Sequence, residues 1–457
     1  TTDNISALTH YTRMKILIAG AGEVGIHLAK LLAKEHIDIT LMDEDSSKLV
    51  DLDANYDMLT FEGKPTSIQD LENAGVKNVD LFIAVTPSES VNMTACMIAT
   101  NLGAIKTLAR IDNYEYLLPK NKEFFEKLGV DYLIYPENLA SKEILSTLET
   151  TWLRQNMSFC NGELTLLGIK VRDNAIILNH KFDSGFFDHR KYRIVAIKRN
   201  NITIIPGGSD EIKANDIVYF ITRPENINFV KEQAGKIDYK INSAMFMGGS
   251  RIAQKTVQQL PSHISVKILE KDREKSYSLV EKCQRALIIN ADARDVEILK
   301  QEGIEDMDAF IAVTSNSEAN ILACLAAKNL GIKKTVAEVE NIDYIALAES
   351  MDIGTVINKK MIAAGYIYQL TLDADVLDVR TLTSADAEVV EFKAKQGSKI
   401  TKSKIKDLKL PEKVNIGGYV RKGEGYIVAG DSIIEPDDHV ICFCVASAIR
   451  KIENYFN

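Results

Sequence analysis

The five residues Phe82-Ile83-Ala84-Val85-Thr86 recur 228 positions later as Phe310-Ile311-Ala312-Val313-Thr314. The match extends well beyond them. Gly75 aligns with Gly303, Asp80 with Asp308, Asn92 with Asn320 and Cys96 with Cys324. Asn101-Leu102-Gly103 aligns with Asn329-Leu330-Gly331, and close to half the positions from Gly75 to Tyr116 are identical in the second copy. A chain that carries one unit twice has a pseudo-twofold relation built into it. That favours a paired or ring-like assembly over a single catalytic pocket.

A length of 457 residues exceeds what one core supports and implies several domains. No apolar run approaches the ~20 residues that span a bilayer. No signal peptide is expected, because the polar stretch Thr1–Arg13 has no apolar segment. Met14-Lys15-Ile16 reads as a natural start, with residues 1–13 as an unrelated extension. The net charge is −9, and no Lys/Arg stripe interleaves with aromatics, so nucleic-acid and anionic-lipid binding are disfavoured. The six cysteines, Cys96, Cys160, Cys283, Cys324, Cys442 and Cys444, show no metal-type spacing and read as reduced core thiols. The histidines are scattered, without a ligand-like pair, so no metal is expected.

Strand-like and helix-like patterns alternate from Met14 to about Tyr135. Strands are expected at Lys15–Ala19, Ile37–Met42, Met58–Phe61, Leu81–Thr86 and Thr107–Ile111, with a helix through Val91, Ala95, Cys96 and Ala99 that ends at Gly103. This is the signature of βαβ units on a parallel sheet. Glu137–Gln155 reads as one connecting helix with Leu145, Leu148 and Trp152 on a face. That face either packs on its own sheet or forms a dimer seam. Gly162–Arg223 changes to short β-runs. The whole plan then restarts: a strand at Ser243–Met247, a second βαβ array, a second connecting helix from about Lys359, and a second β-rich segment. In that last segment residues 430–438 parallel residues 208–216. The expected fold class is α/β, with two doubly wound Rossmann-like parallel-sheet domains (14–135 and 241–357). Each is followed by a connecting helix and a small α+β domain (136–235 and 358–457).

Gly20-Ala21-Gly22-Glu23-Val24-Gly25 is G-x-G-x-x-G. It follows a buried strand, opens an amphipathic helix, and has Asp43 at the end of the next strand. That context makes it a dinucleotide-binding fingerprint. Gly20 allows the tight turn, Gly22 admits a diphosphate to the backbone, and Gly25 lets helix and strand pack. The helix N-terminus supplies N–H groups for the anion. Asp43 would accept ribose hydroxyls and repel a 2′-phosphate, so NAD(H), ATP or ADP fit and NADP fits poorly. The second copy has decayed: Gly248-Gly249-Ser250-Arg251-Ile252-Ala253 places side chains where backbone should approach, and Glu270 replaces Asp43. Thr86 ends the fourth strand, where its hydroxyl either reaches a phosphate or caps the strand. Arg110 ends the fifth strand as a candidate phosphate partner, and its counterpart is Glu338. No proton-relay His or Lys, no nucleophile–base pair and no P-loop stands out, which argues against a dehydrogenase or an ATPase.

Met14-Lys15-Ile16, Gly20–Gly25, Asp43, Ala84-Val85-Thr86 with Asn92, and Ala109-Arg110-Ile111 resemble the nucleotide-binding domain of potassium-transport regulators, the RCK or KTN family. The β-rich segments, with Ile212–Asp216 and Ile434–Asp438, resemble that family's companion C-terminal domain. Leu408–Pro411 through Ile416–Arg421 to Asp438-His439-Val440 is similar to the closing segment of its tandem members. The resemblance covers Met14–Tyr455 and implies a cytoplasmic gating-ring subunit, not an enzyme, peripheral on the cytosolic face of the inner membrane. It implies a homo-oligomer, dimer or tetrameric ring, beneath a Trk-type membrane potassium channel subunit. It implies NAD(H) as ligand, with ATP or ADP as further candidates. Carried over by position, ligand contacts fall on Gly20, Ala21, Gly22, Glu23, Val24, Asp43, Lys64, Thr86, Pro87 and Arg110. In the second copy they fall on Gly248, Gly249, Ser250, Arg251, Ile252 and Glu270. Asp112 departs from the family, which often has a second Arg there. A soluble NAD-dependent oxidoreductase explains the glycine motif but not the duplication. A redox-sensing DNA-bound regulator is disfavoured by the acidic balance and the lack of a helix-turn-helix.

Overall fold

A computed structural model describes residues 14–33, 37–50, 52–200, 202–370, 376–381, 387–445 and 448–457. The reading of residues 1–13 as an extension lies outside them. The chain divides into two compact units, residues up to Tyr135 and residues from Pro136 onward.

In the first unit the strands are β1 (Lys15–Ala19), β2 (Asp38–Asp43), β3 (Leu59–Glu62), β4 (Leu81–Ala84), β5 (Lys106–Arg110) and β6 (Tyr132–Ile134). They form one parallel sheet in the order β3-β2-β1-β4-β5-β6. β1 and β4 are almost wholly apolar and buried, as a sheet covered on both faces requires. The order reverses between β1 and β4, and the crevice beyond their carboxyl ends is where doubly wound folds bind ligands. The helix Glu89–Leu102 is fixed at both ends. The Ser88 hydroxyl accepts the Val91 N–H, and Gly103, at φ 113°, closes the C-terminus.

The second unit repeats this plan within a larger body. A helix at Pro136–Glu149 leads to β7 (Gln155–Phe159), β8 (Leu164–Lys170), β9 (Tyr192–Arg199), β10 (Ile202–Ile204) and β11 (Ile217–Thr222). These make an antiparallel sheet, β10-β9-β11-β8-β7. A second Rossmann sheet follows: β12 (Ser243–Met247), β13 (Ser265–Glu270), β14 (Ala286–Asn290), β15 (Ala309–Ala312), β16 (Lys334–Glu338) and β17 (Thr355–Ile357). Its order, β14-β13-β12-β15-β16-β17, is the first unit's order again. After the helix Lys359–Gln369 come β18 (Val376–Thr381), β19 (Glu388–Lys393), β20 (Val414–Arg421), β21 (Glu424–Ile427) and β22 (His439–Cys444), paired as β18-β19-β22-β20-β21. The two antiparallel sheets share a core in which Phe159, Leu164, Val195 and Ile221 meet Val389, Ile441 and Phe443. The fold is thus a tandem duplication of a Rossmann-like domain and a small β-rich one.

The connecting helix is shorter than the apolar spacing suggests. It stops at Glu149, and Gln155 already begins β7. Two adjacent β-branched residues end it: the Thr150 hydroxyl turns back to the Ser146 carbonyl, and the Thr151 hydroxyl donates to the Tyr239 carbonyl at 3.0 Å. Trp152 therefore lies outside the helix and packs on the first β-rich domain. The helix buries Ala140, Ile144 and Leu148 in the core of the second Rossmann sheet, against Ile252, Ala253 and Val257. This contact is neither of the two expected from the sequence.

The parallel between residues 208–216 and 430–438 has a structural basis. Asp216 and Asp438 are buried carboxylates, each bridged by both ends of an arginine, Arg199 and Arg421 respectively. Each also accepts a main-chain N–H three residues back, from Lys213 and Glu435. Bidentate pairing with a further donor is what makes a buried carboxylate tolerable.

Candidate functional site

In the first unit the glycine-rich turn lies between β1 and the helix Glu23–Leu32. Gly20 has φ 112°, and a Cβ there would sit 2.9 Å from the Thr86 main-chain nitrogen. At Gly25 a Cβ would lie 1.9 Å from the Gly20 carbonyl oxygen. At Gly22 a Cβ would meet nothing within 4 Å. Two of the glycines thus serve the fold, and the third leaves its backbone bare on an open side. Gly25→Ala must push the helix away from the turn, an overpacking cost of about 1–3 kcal/mol. A clear fall in the melting temperature of the purified variant is the expected result, and an unchanged one would mean the turn is not seated as described.

Asp43 is only 8% exposed. Its Oδ2 accepts the Ala21 N–H at 2.7 Å, and its Oδ1 accepts the Asp45 N–H at 2.9 Å and Lys48 at 3.2 Å. The carboxylate therefore braces the glycine turn, and Oδ2 keeps acceptor capacity for one further donor. Glu270 does the same in the second copy. It accepts the Gly249 N–H at 2.9 Å and the Asp272 N–H at 3.1 Å, and pairs with Lys275 at 2.6 Å. Burial opposes its charge, yet Lys275 and the two amides hold its carboxyl below the ordinary value. The lysine five positions on, Lys48 or Lys275, belongs to both sites and was not singled out from the sequence. The acid–x–acid–x–x–Lys spacing after each second strand is the signal that could have found it.

Thr86 is committed inward. Its hydroxyl donates to Asn92 Oδ1 at 2.7 Å, and its main-chain N–H donates to the same atom at 2.9 Å. Asn92, fully buried, returns its amide to the carbonyls of Thr86 and Arg110. It thereby ties the ends of β4 and β5 together at the crevice. Asn320 makes the equivalent bonds to Thr314 and Glu338. In this arrangement the threonine caps its strand. Pro87 and Lys64 are exposed at the rim, and the Lys64 N–H is held by Asp70 at 2.8 Å. Glu23 is exposed and Val24 half-buried on the first helical turn. The Arg110 side chain is only 20% exposed, with the Asp112 carboxylate 3.9 Å away.

The second copy holds a cleft of about 260 Å³ at the corresponding crevice. Of the residues expected there, Gly248, Ser250 and Glu270 line it. Ile252 instead belongs to the hydrophobic core, and Arg251 is exposed. Lys271, Lys275, Asp292, Arg294 and Thr314 also line the cleft. Ser250 is the N-cap of the helix Arg251–Gln259, its hydroxyl accepting the Ala253 N–H at 3.4 Å. It thus occupies a donor that an anion would otherwise use.

At two corresponding positions the charge differs in sign between the copies. Lys64, two residues past β3, corresponds to Asp292, two residues past β14. The Arg294 guanidinium beside Asp292 holds that carboxyl down to about 2. Arg110 corresponds to Glu338, which is buried and 3.3 Å from Lys359. Burial, only partly offset by Lys359, pushes the Glu338 carboxyl up.

The TrkA-N domain family matches residues 16–136 and 244–359, and the TrkA-C domain family matches residues 166–235 and 389–457. The chain is 34% identical over 438 residues to the Trk system potassium uptake protein TrkA of Haemophilus influenzae, covering 94% of this chain and 95% of that protein. It is 32% identical over 452 residues to the protein of that name from Halomonas elongata, covering 97% and 98%. Among solved structures, the GsuK RCK domain superposes with a TM-score of 0.62 over 98% of this chain and 96% of that one, at 14% identity. The GsuK channel bound to NAD gives 0.60 over 98% and 80%, also at 14% identity. GsuK bound to ADP gives 0.50 over 79% and 70%, again at 14% identity. At that identity the likeness speaks to the fold alone.

Proposed function

Because this chain belongs to the TrkA family of Trk-system potassium uptake proteins, we propose that it is a nucleotide-sensing regulatory subunit of a membrane potassium transporter. In this reading NAD(H) or an adenine nucleotide binds the first crevice, its diphosphate over Gly22 and its ribose at Asp43. Lys64 and Arg110 supply the positive field. Glu23, Val24 and Pro87 line the approach, and Thr86 shapes it through Asn92. The second cleft, lined by Gly248, Ser250 and Glu270, takes a different ligand state or none.

The observation that carries this reading is the bare backbone at Gly22, open on the one side where a diphosphate would lie. Among the described residues no helix is long and apolar enough to cross a membrane. The partner in this reading is a Trk-type membrane channel subunit, met on its cytosolic face, as the full-length relatives' name suggests. The duplicated Rossmann plan suits a homo-oligomeric ring in which ligand and channel share one conformational equilibrium. A nucleotide can open or close the channel only through its differential affinity for the two ring states. A NAD-dependent oxidoreductase is not favoured, since the full-length relatives are potassium uptake proteins.

Calorimetric titration of the purified protein with NADH, NAD, ADP and ATP tests the proposal. At least one should bind, and the same nucleotide should change potassium flux when the protein is added to its channel in vesicles. If none binds measurably, the reading fails at its first step.

A further inference from the structure

Outside the lining of the second cleft, three metal-ligating side chains from two domains converge. Cys160 lies in the turn after β7 of the first β-rich domain, while Glu391 on β19 and His439 on β22 belong to the second. One ligand atom from each lies within 4.8 Å of the others. We propose that Cys160, Glu391 and His439 form a binding site for a zinc-class divalent metal that clamps the two β-rich domains together.

The local structure favours this. His439 faces Lys393 across the β19–β22 pair, and Glu391 is two residues along from Lys393, so all three share one sheet face. Glu391 is pre-oriented: its Oε2 accepts the Cys160 N–H at 3.1 Å, while Oε1 lies 2.9 Å from His439 Nδ1. The amide is thus the supporting contact a ligating carboxylate ordinarily has. Ligands bound to tetrahedral zinc at 2.0–2.3 Å stand roughly 3.3–3.6 Å apart. The carboxylate and imidazole need part only slightly to admit the ion, with the sulfur closing from one side.

Cys160 and Asn161 both have positive φ, 51° and 56°, a costly backbone for non-glycine residues that turns the thiol toward the second domain. Of the six cysteines, five are buried and Cys160 is not. A cavity of about 480 Å³ opens beside Cys160 and His439, leaving room for water as fourth ligand. On binding, the thiol releases its proton to solvent. Thiolate and carboxylate then balance the dication, and neutral imidazole supplies the third bond. Cysteine, histidine and a carboxylate are a borderline-soft set suited to zinc rather than magnesium or calcium.

Cobalt(II) is the probe, because a thiolate ligand gives it an intense near-ultraviolet charge-transfer band and tetrahedral geometry gives visible d–d bands. Chelator-treated full-length protein should bind one cobalt per chain with both signatures, and zinc should displace it. Cys160→Ser should abolish the charge-transfer band, and His439→Ala should weaken binding by more than the ~10–100-fold typical of losing a supporting partner. Saturating zinc should raise the melting temperature of the parent but not of Cys160→Ser. Absence of stoichiometric cobalt binding, or a band that persists in a folded Cys160→Ser protein, overturns the site.

Discussion

Gly22→Ala should separate nucleotide binding from folding. The new methyl group meets no protein atom within 4 Å, and Gly22 is not among the glycines held at positive φ. Replacing such a glycine removes freedom from the unfolded chain and stabilises by ~0.4–1 kcal/mol. The same methyl points where a diphosphate has to approach the turn. Forcing a ligand against it costs on the order of 1–3 kcal/mol, a roughly 5- to 150-fold loss of affinity. The expected variant melts no lower than the parent and binds its nucleotide far more weakly. Asp43→Ala would be a poorer test, because Asp43 also holds the Ala21 amide and Lys48. A Gly22→Ala protein that binds as tightly as the parent would place the diphosphate elsewhere.

That experiment rests on a division of labour the motif itself suggests, Gly20 for the turn, Gly25 for helix packing and Gly22 for access to the backbone. Gly20 and Gly25 do face protein, and Gly22 faces open space. The parallel sheets were legible because their strands are continuous apolar runs and their helices carry local caps. The duplication was legible because it is written in identical letters. Asp43 was legible in position but not in duty, since its bond to the turn joins residues 22 apart. Asn92 was seen as a repeated letter, and its tie between two strand ends exists only once the sheet has formed. The connecting helix was drawn too long because apolar spacing continues past Glu149, while the threonines that end it bond to the preceding turn and to Tyr239. Cys160 read as one more core thiol, because its neighbours His439 and Glu391 arrive from more than two hundred residues away.

The second large effect is expected at Asp352, where the first β-rich domain meets the second Rossmann sheet. Its carboxylate pairs with Arg154 at 2.6 Å, Lys170 at 3.0 Å and Lys328 at 3.1 Å, and with Arg172. Four cations thus share one acid that is itself only 23% exposed. Asp352→Asn keeps the side-chain shape and tolerates the left-handed backbone, φ 54°, so charge is what changes. Breaking a buried pair costs about 3–5 kcal/mol, because the partners remain buried without compensation. Solvent reaches part of this cluster, so about 2–3 kcal/mol is the expected loss. Trp152, the single tryptophan, lies two residues from Arg154 and reports the transition by fluorescence during denaturant unfolding. The pH dependence has a definite sign. Burial alone would raise the Asp352 carboxyl, but Arg154, Arg172 and Lys170 overcome it and hold the group well below the usual carboxylate range. A carboxylate depressed on folding contributes stability above its unfolded value, 3.8, and loses it as pH falls below that. The gap between parent and Asp352→Asn should therefore be full at neutral pH and shrink below about pH 4. High salt should narrow it too, by screening the four cations from one another. Equal unfolding midpoints at neutral pH and low salt would mean that the cations find other partners, and that Asp352 does not hold the domains together.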